Sequence, residues 1–439
     1  MIGKNLRVVR QMVVASLFVL GLSLTLRAEN LVLLHNGHLP KKVLVVLSNT
    51  TRDFVANLIE IIASIHEQDG LTGEDAFKLH VLSSSRNERK SLPTDPDKLA
   101  KYVEFNDELF VNDIWMQDIG EFCAVVENGV RSEAVFDSRR GRGLAQVMPT
   151  LAQTWGQKYF VNPSTSLSCG DYGGNIEVTP DNILYYGDTM TSTCEQFLLK
   201  NGYQNRAVKL QTSWLQVGHI DEYMTIIPSR HSRCGYSIVR ADPWYALDLI
   251  EAAKEEDFAA MPRDMGDFLK RVQAALRDPE KWKNTREATF IELNRKIGEV
   301  IDANISRLVS EIRRITGDTS RDIPIMAWPN VFHNFNNGLK LQHCIAYTPG
   351  VANHLVLRDH LIVPDPFFPP FKRTVEARFR AQGNRVHFIN DMPYHNLQGE
   401  VHCGTNVRRD VNRTLITPQY TNALAALRDT FDRVHRDVR

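Results

Sequence analysis

Apolar and polar positions along this chain change their period several times. Short runs of apolar and β-branched residues, among them "KKVLVVLS", "KLHVLSS", "EFCAVV", "NILYYG", "YMTIIP" and "HLIVP", are set off by Gly, Pro, Asp and Asn. They predict strands. Between several of them the period lengthens: in "TRDFVANLIEIIASIHEQ" apolar residues recur at three and four, the mark of an amphipathic helix. The mixture predicts an α/β fold. Residues 244–318 break the rhythm with "WYALDLIEAAKEED", "MGDFLKRVQAALRD" and "FIELNRKIGEVIDANISRLVSEIRRITG", so a helix-rich insertion ending at Gly317 is expected there. No internal repeat stands out in the residues themselves.

The first 28 residues are different in kind. Lys4, Arg7 and Arg10 precede the apolar run "MVVASLFVLGLSLTL", and Ala28 offers a small residue at a cleavage point. This is the layout of a secretion signal, so a secreted or periplasmic product is expected, with residues 29–439 forming the mature domain and no membrane span left after cleavage. Lys and Arg number 52 against 52 Asp and Glu. That balance gives no reason to expect nucleic acid or an anionic membrane as partner. Of the six cysteines none forms a CxxC pair or a zinc spacing, and in an oxidising compartment Cys169 and Cys194, both in turn-rich sequence, are the pair most open to bridging.

Three polar strings carry the candidate chemistry. In "NDIWMQDIGEF" (112–122), Asp113, Asp118 and Glu121 crowd around Trp115 and Gln117. An indole face beside carboxylates can hold a flat cation, although a loop with a core tryptophan reads the same way. In "LQVGHIDEYMTIIP" (215–228), a strand would project His219 and Asp221 to one face with Val217 in the same row, and Gly218 would allow close approach. In "GEVHCGTNVRR" (399–409), Cys403 lies in basic surroundings that favour thiolate. A histidine, a cysteine and two carboxylates from separate segments suit covalent attack on a cationic carbon better than metal binding. A Cys–His protease explains the thiol and the base but not the paired acids.

With these residues in view the chain resembles the catalytic domain of the protein-arginine deiminases. The matching strings are "WMQDIGEF", "AVFDSRRGRGL" (134–144), "GNIEVTP" (174–180), "VGHIDE" (217–222), "NHLVL" (353–357) and "FINDMPYHNLQGEVHCGTNVRR" (388–409), in family order. The resemblance implies a pseudo-fivefold α/β propeller of ββαβ modules with the active site at its centre. It implies Cys403 as nucleophile, His219 as general acid and base, and Asp118 and Asp221 gripping a guanidinium. Trp115 and Val217 would pack on the substrate arm, and Arg140 and Arg142 would contact substrate main chain. The expected reaction converts arginine in peptides to citrulline with release of ammonia.

The resemblance also implies calcium, held by Gln117, Glu121, Glu177 and the carbonyls of Gly173 and Ile176, oxygen donors that suit a hard cation. A second site keeps Asp137 and Ser138 but has Ile119 and Gly141 where ligands are expected, and is therefore weakened. Leu397 stands where some members have arginine. Two alternatives remain open at this stage: a deiminase of free arginine or agmatine, and a non-catalytic binder of arginine peptides. Oligomeric state is left open.

Overall fold

The computed structural model describes residues 30–166, 168–334 and 338–416. The expected signal segment lies outside the described residues. Within them, no helix is long and apolar enough to cross a membrane.

Among the described residues the strands form six sheets, and five of these repeat one connection. In chain order, β1 (Asn30–Leu33) and β2 (His38–Leu47) lead through the helix Arg52–Asp69 to β3 (Lys78–Ser83) and β4 (Val103–Phe110). Next come β5 (Gly120–Glu127), β6 (Val130–Asp137), the helix Val147–Thr154 and β7 (Lys158–Val161). The pattern recurs with β8 (Ile176–Val178), β9 (Leu184–Gly187), the helix Ser192–Leu198 and β10 (Ala207–Leu210). It recurs again with β11 (Met224–Pro228) and β12 (Tyr236–Asp242), whose crossover to β13 (Ile325–Pro329) carries the helix-rich segment. A two-stranded pair, β14 (Phe332–Asn334) and β15 (Cys344–Ala346), precedes β16 (Leu355–Leu357), β17 (His360–Pro364), the helix Pro369–Ala381 and β18 (Arg385–Ile389). Last is β19 (Thr405–Thr414).

In each unit the first two strands pair antiparallel and the third returns parallel to the second after a helix. The fifth such unit is assembled from both ends of the described chain: β19 pairs antiparallel with β2, which pairs parallel with β3. A parallel return needs a long crossover, which is why a helix sits at the same place in every unit. The sheets are separate and none closes on itself.

The helix-rich segment falls where the residue pattern put it. Its longest helix, Arg286–Thr316, starts on Thr285, whose hydroxyl accepts from Ala288 N, and stops at Gly317 with φ +71°. Its buried face of Leu293, Ile297, Ile301, Ile305, Leu308 and Ile312 packs on Ile226, Tyr236 and Ile238 of the fourth sheet. Truncating a side chain such as Ile301 to alanine would cost about 2–5 kcal/mol.

Two expectations are corrected. Residues 215–228 are not one strand: Gly218 has φ +84°, and Ile220–Glu222 form a 3-10 turn with His219 at its head. Apart from an isolated bridge from Leu215 to Cys344, ladder pairing starts at Met224. Glu222 Oε1 accepts from His219 N at 2.8 Å, so local side-chain bonding wins over the ladder. Nor do Cys169 and Cys194 bridge. Both are free; Cys169 is exposed with Sγ donating to Val217 O at 3.3 Å, while Cys194 is buried with Leu198 and Phe136.

Candidate active site

The four residues assigned to catalysis from sequence come from one equivalent place in the repeat, at or beside the turn just before a unit's first strand. Gln117–Ile119 precedes β5, Gly173–Asn175 precedes β8, and Ile220–Glu222 precedes β11. Asn353 lies just before β16 and Cys403 just before β19. The first of these turns touches the second and the second touches the third. The nucleophile peptide joins them by hydrogen bonds: Gln117 N donates to Cys403 O at 3.1 Å, and Asn406 Nδ2 donates to Met116 O and Gly120 O at 3.2 and 2.8 Å.

Cys403, His219, Asp118 and Asp221 are thereby brought together, all buried. Cys403 Sγ donates to Asp221 Oδ2 at 3.5 Å. His402 Nδ1 meets the same oxygen at 2.8 Å, while Asp221 Oδ1 has no hydrogen-bond partner. His219 is held by Nε2 on Cys169 O at 2.8 Å, and its Nδ1 lies 3.9 Å from Asp118 Oδ1. Gly174 makes room for this cluster, since a Cβ there would sit 2.6 Å from His219 Nδ1 and 3.0 Å from Asp221 Oδ2.

Burial sets the electrostatics. It pushes the Asp118 carboxyl up to about 6, against the opposing pull of His219 and Arg140. It raises the Cys403 thiol well above its ordinary range, and the nearby Asp221 carboxylate pushes the same way. Burial alone would depress His402, but its bond to Asp221 wins and the imidazole is raised. The centre is a desolvated acidic hollow, where a planar cation that pairs with the carboxylates offsets the cost of burying them.

Arg140 is placed differently from expectation. It is not on the surface but buried, with Nη1 3.1 Å from Asp118 Oδ2, Nη2 3.1 Å from Asp113 Oδ2 and its guanidinium 4.8 Å above the Tyr172 ring. It thus sits on the carboxylate assigned from sequence to the substrate. Arg142 is exposed and reaches Asp113 Oδ2 at 3.4 Å through Nε. Trp115 is half-buried, 5.7 Å from Tyr394 and against Gly399, where a Cβ would come within 2.4 Å of the indole. Val217 is half-buried and Leu397 exposed.

A second acidic hollow adjoins the first. Glu121 is half-buried and Glu177 buried, and desolvation raises both, Glu177 to about 7; Glu177 in turn raises Glu121. With Gln117, His402, Asn406 and Arg409 they line a cavity of about 20 Å³. Gln117 Nε2 donates to Glu121 Oε1 at 2.8 Å, and any Cβ on Gly173 would lie 2.6 Å from that oxygen. His402 connects the hollows, with Nε2 3.8 Å from Glu177 Oε1. The residue pattern gave little weight to His402 and Arg409, whose only signal was their place beside Cys403 in the motif. The Asp137 and Ser138 pair is otherwise engaged: Asp137 accepts from Arg139 N and the Tyr159 hydroxyl, and Ser138 Oγ donates to Asp118 O.

The profile described as Protein-arginine deiminase (PAD) matches residues 181–414, more than half of the chain and a span holding His219, Asp221, Asn353 and Cys403. The chain belongs to the protein-arginine deiminase family. Mouse protein-arginine deiminase type-4 is 28% identical over 365 residues, covering 76% of this chain and 52% of that protein. Human protein-arginine deiminase type-1 is 28% identical over 324 residues, covering 68% and 46%. The chain therefore spans about half the length of the curated relatives it matches. Among solved structures, C. jejuni agmatine deiminase superposes with a TM-score of 0.51 at 14% identity, over 89% of this chain and 99% of that one, a likeness of fold. This member of the deiminase family thus has the mixed α/β fold expected from its residue pattern.

Proposed function

We propose that this chain hydrolyses the guanidinium group of arginine residues in peptides, giving citrulline and ammonium by covalent cysteine catalysis. The observation that carries the reading is the convergence of Cys403 Sγ, His219 and two buried carboxylates in one hollow, with Asp221 Oδ1 unpartnered. A guanidinium is permanently protonated and planar, so paired carboxylates both neutralise it and fix its orientation. Asp221 Oδ1 is the acceptor open to it, and Asp118 is shared with Arg140. We assign half-buried Trp115 and Val217 to the substrate's aliphatic arm and exposed Arg142 to its main-chain carbonyls.

His219 takes the thiol proton as the sulfur's electron pair attacks the guanidinium carbon, and delivers that proton to one nitrogen, which the tetrahedral adduct expels as ammonia. His219 then takes a proton from water as the hydroxide adds to the thiouronium carbon; the C–S bond breaks with its electron pair returning to sulfur, His219 returns the proton to that sulfur, and the ammonia takes the remaining O–H proton to leave citrulline and ammonium. Substrate charge aids the first step. The thiol is held up by burial and by anionic neighbours, so an arriving cation offsets the field that opposes thiolate.

Calcium fits the second hollow. Glu121, Glu177 and Gln117 would supply side-chain oxygens, with carbonyls of Gly173 and Ile176 nearby in sequence; desolvation raises both glutamates and Glu177 raises Glu121 further, as expected of donors built for a cation. Arg409 already places one positive charge beside them. Bound calcium would supply charge that offsets these acids and order the turn carrying Asp118. The Asp137 and Ser138 set does not fit, because both Asp137 oxygens accept from protein donors and Ser138 Oγ is turned to donate to Asp118 O. We further read the five units as blades of a pseudo-fivefold propeller, supported by the five equivalent turns at the site, and residues 1–28 as an export signal, hence a secreted or periplasmic enzyme.

Ammonia release from a blocked arginine peptide, free arginine and agmatine, each with calcium and with chelator, tests the proposal. The peptide with calcium is expected to give the highest kcat/KM. A preference for agmatine would overturn the peptide assignment.

A further inference from the structure

Four of the five equivalent turns supply groups that the proposed reaction or its cation uses. The fifth supplies Asn353, which is 1% exposed. Its Nδ2 donates to Cys403 Sγ at 3.1 Å, its Oδ1 accepts from Cys403 N at 3.2 Å, and its carbonyl accepts from His402 N at 3.1 Å. Asn353 N donates to Gly350 O, and Gly350 N donates to Glu400 Oε1 at 2.9 Å, so this turn and the cysteine peptide are sewn together on both sides.

Asp221, Asp118 and Glu222 place acidic side chains around the same sulfur. Asn353 supplies a side-chain hydrogen-bond donor on Sγ, beside a backbone bond at Glu400 that acts in the same direction. A donor on an anion favours it, and does so most in a desolvated site. We infer that Asn353 is a catalytic residue, donating to the Cys403 sulfur as it gains negative charge and aiming it at the guanidinium carbon, a role that rests on the reading of Cys403 as nucleophile. The amide keeps its own protons. The sulfur's electron pair forms the bond to carbon while Nδ2–H remains on the sulfur as a hydrogen bond.

Two substitutions separate this role from a purely structural one. Asn353→Asp keeps an oxygen for Cys403 N but loses the donor; Asn353→Ala loses both without adding charge. For folded protein, checked by Tm, two quantities are read near neutral pH. One is the rate of Cys403 alkylation by iodoacetamide, followed by the mass of the Cys403 peptide; the other is kcat and KM on a blocked arginine peptide. Both variants are expected to slow alkylation and kcat roughly tenfold to a hundredfold, the contribution of a hydrogen bond to a charged group, with KM within about threefold. If one variant does not fold, the other decides by the same readouts. Alkylation and kcat within about threefold of wild type in a folded variant would overturn the role of Asn353 alone. Ammonia release by Cys403→Ala would instead overturn the nucleophile reading on which it rests.

Discussion

Gly174 lies under the two side chains on which the proposed chemistry depends most, so Gly174→Ala is a small change with a calculable effect. The added Cβ would lie 2.6 Å from His219 Nδ1 and 3.0 Å from Asp221 Oδ2, where ordinary contact begins at 3.4 Å. His219 must therefore move by about 0.8 Å, or the turn must shift by as much. The imidazole cannot yield freely, because Nε2 is bonded to Cys169 O at 2.8 Å and its backbone N to Glu222 at 2.8 Å. A misplacement near 1 Å at a reacting group costs roughly a hundredfold in rate, about 2.7 kcal/mol in barrier height. Overpacking itself costs about 1–3 kcal/mol of stability. The assay is ammonia release from a blocked arginine peptide, with Tm measured alongside. A kcat lowered by roughly two orders of magnitude in folded protein is expected. Wild-type kcat and Tm in Gly174→Ala would refute the geometry assigned to His219 and Asp221.

Further outcomes follow from other groups. Asp181→Ala removes the carboxylate that Arg321 Nη2 meets at 2.9 Å and that the Tyr236 hydroxyl donates to at 2.8 Å; both are buried, so a loss of about 3–5 kcal/mol is expected in denaturant unfolding, and a loss under about 1 kcal/mol would count against the pairing. Burial raises Glu400 from its ordinary 4.5 to about 7, so its native form keeps a proton that the unfolded chain releases first. The stability gained from that neutral carboxyl is full below pH 4.5 and lost as pH rises through about 7, and the Tm of Glu400→Gln relative to wild type should climb across that window and then level; a constant difference would contradict it. Chelation is expected to remove activity, and Glu177→Gln to weaken calcium binding seen by calorimetry. Activity that survives thorough chelation with no binding heat would exclude a functional calcium.

Regular elements were legible because burial gives them a period. The runs that became β2, β9 and β17, and the 31-residue helix Arg286–Thr316, carry their apolar residues on a face or throughout, so two-residue and three-to-four-residue spacings suffice to find them. The fivefold recurrence was not visible in the residues, since each unit uses different side chains to make the same pairing. Turns have no such period. His219 and Asp221 were placed on a strand because "HIDEYMTIIP" is apolar enough to extend one, and only the positive φ of Gly218 and the bond from His219 N to Glu222 show why the ladder starts later. Arg140 was assigned to substrate main chain. Its burial depends on Asp113 and Asp118 from another segment, a long-range pairing that no local pattern encodes. Asn353 and His402 were present in the motifs, but their meaning came only with their distances to Cys403 and Asp221.

The central claim is that Cys403 attacks the guanidinium carbon. Ammonia release from a blocked arginine peptide, measured with calcium for wild type and Cys403→Ala, tests it most directly. Turnover by the wild-type chain and none above background by the variant is the predicted result. Substantial turnover by purified, folded Cys403→Ala would contradict it.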